Sequence, residues 1–413
     1  MYSKLKKFII KHKNIFFIRD KKPNNKKKIL IFILRIPLFI PALIFYIFIK
    51  LLYSIFRIKI RIGLLRADKL GHLSLENELY FCEKLKNKNK SFIDIFFNDG
   101  FICNNYLFNL IKSKVYFFPN YFLRELYILF FFFSRKKNIA NRFYEAEDYE
   151  NLIDNFPQQI IINKNLLKKD LEILKKIGLK YKQRIACLHI RDELYGGKNT
   201  FNNHRNVFNV NNYKKAIKYL IKKNYFVIRV GQLQKSKILY KNRNFLDYPF
   251  SKIKSDTMDL FLAYNCDFCI STGSGFDALT RVFRKPVLYT NFASYGDTAF
   301  GESHMIIYKK FFDTKGKLMS IHDLWKKNLF QIDNFQNITH KEIKIVENSS
   351  TEILKAVEDF LKYKKNKKSL NKHKRIKNKL NIYFKKNDII KLNFNNKSKR
   401  ATICPSFIKK III

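Results

Sequence analysis

The chain has 413 residues, of which 47% are hydrophobic and 16% aromatic, so it is long and apolar enough for two folded domains and is not a disordered polymer. Its formal net charge of +49 first suggests a nucleic-acid partner. However, residues 1–28 carry a net charge of +10 and residues 361–413 a net charge of +17, so the two ends hold more than half of the excess. Basic ends favour an anionic lipid surface, where each positive charge contributes about 1 kcal/mol, over a nucleic-acid-binding module.

An apolar run of 21 residues spans positions 29–49 and is interrupted by Arg35, Pro37 and Pro41. This length is enough for one transmembrane helix, and a buried core helix is also possible. Both prolines, and the basic residues on each side, favour a helix that lies in the membrane interface. We therefore assign residues 1–57 to a membrane-associating segment, peripheral or single-pass, at the cytoplasmic face of the inner membrane.

The N-terminal half, residues 58–180, shows strand and helix patterns. A strand is predicted over residues 58–65, with Gly63 near its end, followed by a helix over residues 75–85. The run Leu126–Phe133 is too short to cross a membrane and is predicted either to be core or to dip into lipid. A helix over residues 166–177 closes this half. An acidic cluster is predicted to be solvated; its members are Glu145, Glu147, Asp148 and Glu150.

The C-terminal half, residues 181–345, alternates apolar runs of strand length with helical patterns. The predicted strands are residues 184–190, 225–230, 268–271 and 287–290, and the predicted helices are residues 211–224, 257–265 and 276–283. This alternation predicts a parallel, doubly wound sheet. The fold class is therefore α/β, with one domain over 58–180 and a second over 181–345. Residues 346–413 are predicted to form a closing helix and a basic tail.

Six cysteines are present, and of these Cys266 and Cys269 alone have the spacing of a metal-binding pair. A second pair that would complete a zinc site is missing from the sequence. Since Cys269 also lies in an apolar run, both are predicted to be buried small hydrophobic residues in a reduced compartment.

The first candidate site follows the strand that ends near His189. It contains Arg191 and Tyr195, and Arg205 lies a few residues further along the chain. Ligands of open α/β sheets bind at the carboxyl ends of strands, and an arginine there can grip a diphosphate with two parallel hydrogen bonds. The alternative for Arg191 is a surface salt bridge with Asp192 or Glu193.

The second candidate site is the turn Ser271-Thr-Gly-Ser274-Gly275-Phe276, between an apolar strand and a helix. Such a turn directs backbone N–H groups and the helix dipole at one point, which suits phosphate. Many strand–helix turns need glycine for conformational reasons alone, so an ordinary turn is the alternative. The presence of Arg191 in the same predicted sheet favours the phosphate site.

The third candidate is His72, which follows Gly71 in the predicted first loop of the N-terminal half. An imidazole has an ordinary pKa of about 6.5, which suits a general base near neutrality. The alternative is a structural histidine that caps the next helix.

These residues resemble a family of bacterial glycosyltransferases of the two-Rossmann (GT-B) type. The resemblance lies in the Gly71-His72-Leu73 run, in the segment from His189 to Asn206, and in three further blocks, residues 212–231, 255–275 and 285–291. The turn at His189-Ile-Arg191 is also similar to the His-x-Arg motif of fucosyltransferases, which implies that Arg191 contacts the leaving β-phosphate. Asp192 stands where that motif commonly has a second arginine, which disfavours GDP-fucose as donor.

The resemblance implies an enzyme that moves a hexosyl or fucosyl group from a nucleotide-sugar to a surface glycan or lipid-linked acceptor. It also implies that both domains are Rossmann-like, with residues 58–180 as the acceptor domain and residues 181–345 as the nucleotide-sugar donor domain. The expected reaction is metal-independent, has no cofactor and inverts the anomeric centre. Arg191 and His72 are the candidate catalytic residues, and Gly71 lies on the acceptor side. The candidate donor-binding residues are His189, Tyr195, Arg205, Arg229, Gly231, Asp256, Ser271, Ser274, Gly275 and Phe276. The alternatives are a nucleotide-sugar epimerase or hydrolase of the same fold, or a basic nucleic-acid-binding protein.

Overall fold

The structure is a computed structural model, which describes residues 33–87, 92–133, 138–140, 148, 150–194, 204–232, 234–295, 301–329, 343–365 and 400–408. The chain divides into two compact units. Unit 1 comprises Met1–Ala146 and Pro157–Ile162, and unit 2 comprises Glu147–Phe156 and Asn163–Ile413.

Unit 1 is built on a small parallel sheet with the strand order β1-β2-β3. Its strands are β1 (Ile60–Leu64), β2 (Ile93–Phe97) and β3 (Tyr116–Phe117), and its helices are α1 (Phe39–Phe56), α2 (Asn77–Lys86), α3 (Asn105–Lys112) and α4 (Leu123–Phe133). A π-helical turn, His72–Glu76, leads directly into α2.

Gly63 lies inside β1 and does not end it. It pairs with Phe96 of β2, and a Cβ atom at position 63 would come within 2.2 Å of the Phe96 ring. Phe96 is fully buried. The glycine therefore makes room for a core aromatic ring on the neighbouring strand.

The apolar helix α1 packs against unit 1 along one stripe. Ala42 and Ile49 are buried, and Phe39, Tyr46 and Leu52 pack on the same core, at helical spacing. This core includes α4 residues from Leu126 to Phe131, which places the second apolar run in the core. The other faces of α1 expose Ile40, Leu43, Ile44, Ile47, Phe48, Leu51, Ile55 and Phe56. By length and composition, the helix Ile36–Phe56 is sufficient to cross a membrane.

Arg35, which interrupts the apolar run, is bound within unit 1. Its Nε and Nη2 atoms each donate to a carboxylate oxygen of Glu125 at 2.7 Å, and Nη2 also donates to the carbonyl of Tyr121 at 3.1 Å. Charge-assisted, bidentate pairing of this kind neutralises the arginine at the start of the helix.

Unit 2 is a larger α/β unit. Its strands are β4 (Arg184–His189), β5 (Tyr225–Val230), β6 (Phe245–Asp247), β7 (Cys266–Ser271), β8 (Val287–Phe292), β9 (Met305–Tyr308), β10 (Lys310–Phe312), β11 (Lys344–Val346) and β12 (Thr402–Ile403). Its α-helices are α5 (Leu152–Asn155), α6 (Lys164–Lys176), α7 (Lys214–Lys222), α8 (Asp256–Asn265), α9 (Gly275–Val282), α10 (Ile321–Lys326), α11 (Ser350–Lys365) and α12 (Pro405–Ile408). Short 3-10 turns at Val210–Tyr213 and Tyr248–Phe250 precede α7 and α8.

The main sheet of unit 2 has seven strands in the order β12-β9-β8-β7-β4-β5-β6, and every pairing in it is parallel. All six residues of β5 are buried, as expected for a strand covered by helices on both faces. The prediction of an α/β fold with a parallel sheet is therefore confirmed. β10 and β11 form a separate antiparallel pair.

Three parts of the sequence interpretation change. The helix predicted at residues 166–177 is α6, and it belongs to unit 2, where Asp170 accepts a hydrogen bond from Thr257. Thr402 and Ile403, assigned to a basic tail, form the edge strand β12 beside β9. Asp148 is buried rather than solvated, because its carboxylate accepts hydrogen bonds from the backbone N–H groups of Leu152 and Ile153 at the start of α5.

Cys266 and Cys269 are both fully buried, as predicted. Glu145 and Glu147 of the acidic cluster lie outside the described residues, as do residues 1–28 and most of the basic stretch after 365.

We predict that Gly63→Ala destabilises the protein by about 1–3 kcal/mol, because the new methyl group overlaps the ring of Phe96. The midpoint of chemical denaturation measures this loss. Phe96→Leu in the Gly63→Ala background is the matched control, since removal of the ring relieves the overlap. If the double variant loses as much stability as the two single changes together, the overlap is not the cause.

Candidate functional site

The carboxyl ends of β4 and β7 lie side by side in the middle of the main sheet, with His189 paired to Ser271. From β4 the chain builds outward on one side through β5 and β6, and then returns to the other side of β4 with β7, β8 and β9. The side of the sheet on which successive strands are added thus reverses between β4 and β7, although all of the strands are parallel. In open α/β sheets a ligand crevice opens at this reversal, outside the carboxyl ends of the strands.

Arg191 and the turn that follows β7 are joined by hydrogen bonds. The backbone N–H of Arg191 donates to Thr272 Oγ1 at 2.9 Å, and the N–H of Thr272 donates to the carbonyl of His189 at 3.2 Å. The Nε atom of Arg191 donates to Asn206 Oδ1 at 2.8 Å. Arg191 is 6% exposed, so its side chain does not lie on the surface, where the alternative of a surface salt bridge would place it.

The turn after β7 is held by the buried carboxylate of Asp277. Its Oδ1 atom accepts hydrogen bonds from Ser271 Oγ at 2.7 Å and from the N–H of Ser274 at 2.5 Å, and Oδ2 accepts one from Tyr289 at 3.1 Å. The side-chain oxygen of Ser274 accepts a hydrogen bond from the backbone N–H of Asp277, which completes a capping box at the start of α9.

This arrangement uses part of the turn that the sequence predicts as a phosphate site. The Ser274 N–H, which the sequence assigns to an anionic ligand, binds a carboxylate of the protein itself. Burial raises the pKa of Asp277, and the hydrogen bonds from Ser274 and Ser271 oppose that rise. An external phosphate at this edge therefore depends on nearby cations as well as on the helix N-terminus.

Arg205 lies against the same turn. Its Nη2 atom donates to the carbonyl of Gly273 at 2.6 Å. Gly273 has a φ of +80°, and a Cβ atom there would lie 2.7 Å from the Phe292 ring, so this position requires glycine on both counts. The structure thus brings Arg191, Arg205 and the glycine turn together, as the sequence predicts.

His189 is buried below this edge. Its ring stacks on Phe276 in a nearly parallel arrangement, with centroids 6.2 Å apart. Burial, with the nearby charges of Arg229 and Arg191, lowers the pKa of His189 to about 3, so the imidazole is neutral at physiological pH. Its Nδ1 atom has no hydrogen-bond partner among the described residues.

Arg229 and Gly231 lie one strand further out, in and after β5. The side chain of Arg229 is completely buried; it donates to Gln234 and to the carbonyl of Ser236, and lies 3.5 Å from Asp247 and 3.8 Å from Asp192. These contacts use its guanidinium inside the fold. Gly231 has a φ of +133°, a left-handed conformation that turns the chain after β5.

Asp256 is the first residue of α8, where a negative charge is favourable to the helix dipole. Tyr195 lies outside the described residues.

In unit 1, His72 begins the π-helical turn and does not lie in a loop. Its Nδ1 atom is 2.7 Å from Glu76 Oε1, and the same oxygen accepts from Arg66 Nη1 at 3.1 Å. Glu76 is buried while a quarter of the His72 side chain is exposed. A partly exposed histidine held by a buried carboxylate is a common arrangement of a general base. The sequence analysis missed Glu76, although its spacing of four residues was a usable signal.

Lys309 is the second residue that the sequence analysis missed. It follows β9, is 3% exposed, and donates from Nζ to the carbonyl of Asn206 at 2.6 Å. Nothing in the local sequence distinguishes it from the other lysines. Among the described residues, His, Cys, Asp and Glu side chains form no group of three or more that could hold a metal ion.

No family model and no curated protein matches the chain. Solved structures with a related arrangement include a family 9 glycosyl transferase from Veillonella parvula, with 12% identity, coverage of 61% of this chain and 86% of that one, and a TM-score of 0.37. They also include the ADP-heptose LPS heptosyltransferase II of Escherichia coli, with 11% identity, coverage of 74% and 100%, and a TM-score of 0.39. A third is the iron-containing dodecameric glycosyltransferase TibC of enterotoxigenic E. coli, with 11% identity, coverage of 74% and 77%, and a TM-score of 0.35. All three neighbours are glycosyltransferases, at low sequence identity to this chain.

We predict that Asp277→Ala lowers the free energy of unfolding by about 2–3 kcal/mol, because it leaves buried donors of the turn without their acceptor. Asp323→Ala is the matched control, since Asp323 forms the same kind of capping box with Ser320 at an exposed helix start. That change should cost no more than about 1 kcal/mol. Equal losses in the two variants, measured by urea denaturation, would show that the buried network adds nothing to ordinary capping.

Proposed function

We propose that the protein is a glycosyltransferase that transfers a sugar from a nucleotide-sugar to a glycan or lipid-linked acceptor. The observation that carries the proposal is the position of Arg191, Arg205 and the glycine turn. They lie at the carboxyl ends of β4 and β7, where the strand order reverses. A crevice of this type accepts nucleotides, and two arginines beside it suit a diphosphate.

In this proposal the diphosphate is the leaving group. Negative charge builds on its β-phosphate as the bond from the anomeric carbon to oxygen breaks, and Arg191 stabilises that charge without a metal ion. Arg191 is preorganised for this role because Asn206 fixes its Nε atom and Thr272 fixes its backbone. Direct attack by the acceptor hydroxyl inverts the anomeric centre.

The base that deprotonates the acceptor is assigned to His72 in the same proposal. The buried carboxylate of Glu76 fixes the Nδ1 side of the ring and stabilises the imidazolium formed by proton uptake. The arrangement of the two units as paired Rossmann-like domains, and the expectation of no cofactor and no nucleic-acid partner, belong to the proposal as well.

We predict that Arg191→Ala lowers kcat by about 10²–10³ and weakens donor binding much less, because the arginine interacts most strongly with charge that develops in the transition state. Arg191→Lys should restore little, since an ammonium does not reproduce the planar guanidinium. Nucleotide release from a panel of UDP-, GDP-, CMP- and dTDP-sugars, measured with and without glycan acceptors, gives these values.

Arg184→Ala is the matched control. Arg184 is the first residue of β4, at the opposite end of the strand from the candidate site. About half of its side chain is exposed, so turnover should stay unchanged. Because Arg191 is buried, the melting temperature of each variant must be measured alongside its activity. Turnover of Arg191→Ala within a few-fold of wild type would place the phosphate site elsewhere. Donor breakdown or isomerisation without transfer to any acceptor would favour an epimerase or hydrolase.

We also propose that unit 1 attaches to the cytoplasmic membrane surface through the exposed apolar faces of α1. The helix is fixed along one stripe to the core of unit 1, while Ile44, Ile47 and Leu51 are exposed on its outer side. Basic residues at both ends of α1 and in the chain termini complement an anionic lipid surface. An interfacial helix is favoured over a transmembrane helix because α1 packs along its length on the core of unit 1. This packing keeps the helix beside the folded unit.

We predict that the triple change Ile44→Glu, Ile47→Glu and Leu51→Glu weakens binding to anionic phospholipid vesicles by more than about 100-fold, because it removes apolar area from the lipid-facing side. Vesicle co-sedimentation measures the effect. Point changes are preferable to deletion of residues 1–57, since deletion would also remove Ala42 and Ile49 from the core.

The matched control introduces the same charge at exposed apolar residues elsewhere, with Ile161→Glu, Ile177→Glu and Leu239→Glu. It should sediment with vesicles like the wild type. If both triple variants lose binding equally, net charge and not the surface of α1 determines attachment.

A further inference from the structure

Lys309 is a buried lysine at the carboxyl edge of the main sheet. It follows β9 directly, and its backbone N–H donates to the carbonyl of Phe292 at 2.9 Å, beside the end of β8. Lysine is rarely buried unless its charge is paired. Its ammonium group donates to a neutral carbonyl, that of Asn206.

Asn206 connects Lys309 to Arg191. Its side-chain oxygen accepts from Arg191 Nε at 2.8 Å, and its backbone oxygen accepts from Lys309 Nζ at 2.6 Å. Asn206 is itself 1% exposed, and it directly follows Arg205 in the chain. One buried residue therefore holds two cations, and a third cation precedes it.

Among the described residues, the carboxylate of Glu347 raises the pKa of Lys309 and so opposes the effect of burial. This carboxylate is already engaged, since it accepts hydrogen bonds from the backbone N–H groups of Phe208 at 2.6 Å and Asn209 at 3.4 Å. This corner of the sheet therefore combines three positive charges with a carboxylate that is already hydrogen-bonded, which is an electrostatic environment suited to an anion.

We propose that Lys309 supplies a positive charge to the diphosphate of the nucleotide and, through Asn206, positions the guanidinium of Arg191. This inference rests on the proposed function, because it assigns a further residue to the same donor site. Lys309 is thus a positioning residue that also contributes to the local potential.

The protonation of Lys309 gives the inference a pH signature. Burial lowers the pKa of Lys309 to about 8, so the ammonium loses its proton as the pH rises through that value. A bound diphosphate favours the charged form and raises this pKa, so that binding is strongest below pH 8 and weakens above it. The side chains of His189 and Tyr213 stay neutral in this window, because burial lowers the pKa of His189 to about 3 and raises that of Tyr213 to about 12.

The test measures binding of UDP, GDP, CDP, ADP and dTDP by isothermal titration calorimetry at about pH 7 and about pH 9, using the full chain. The nucleoside diphosphate that binds wild type most tightly should bind about tenfold more weakly at the higher pH. Lys309→Met should bind about tenfold more weakly at the lower pH and show little further loss at the higher one. Wild type alone reveals the pH signature, so the test survives a variant that fails to fold.

Lys310→Met is the matched control. It removes the same charge from the adjacent residue, whose ammonium pairs with Glu352 at 3.0 Å, and it should retain the pH dependence of the wild type. If wild type binds equally at both pH values, or if Lys309→Met keeps the pH dependence, the inference is overturned while the proposed function stands. If none of the nucleotides binds wild type, the proposed function itself fails.

Discussion

The parallel pairing of β4 with β7 is the constraint on which the candidate site depends. It places the residues after His189 beside the residues after Ser271, and two hydrogen bonds through Thr272 join the two strand ends into one piece. Because the chain leaves β4 on one side and returns on the other side with β7, a ligand crevice is expected between these ends. Polar side chains at this edge can therefore face a ligand while the strands below them remain buried.

The electrostatics of this edge follow from burial. Arg229 is accommodated by Asp192 and Asp247, and the donors of the glycine turn are accommodated by Asp277, so these groups are balanced within the protein. Arg191 and Lys309 both donate to Asn206, the first to its side chain and the second to its backbone carbonyl. Burial disfavours the charged form of Lys309, and a bound anion would offset that cost.

The most apolar segment of unit 1 is packed on the rest of the unit, unlike a free transmembrane helix. Helix α1 keeps Ala42 and Ile49 against α4, and Glu125 neutralises Arg35 at the start of the segment. The helix is therefore part of a folded core on one side and an apolar surface on the other. A surface of this kind on a basic protein suits the boundary between water and anionic lipid.

The sequence by itself determined most of the elements between residues 184 and 290 of unit 2, because apolar runs such as Tyr225–Val230 and helices with one apolar face are local patterns. It also placed Arg191 and the Ser271–Gly275 turn at strand ends, since turn residues directly follow those runs. It left open what Arg35 pairs with and why Gly63 lies within a strand, because Glu125 and Phe96 are distant in sequence. Lys309 carried no signal at all among so many lysines, since its burial and its link to Arg191 arise from the position of β9 in the sheet. Tertiary structure decided these points because pairing and burial depend on which strands and helices become neighbours.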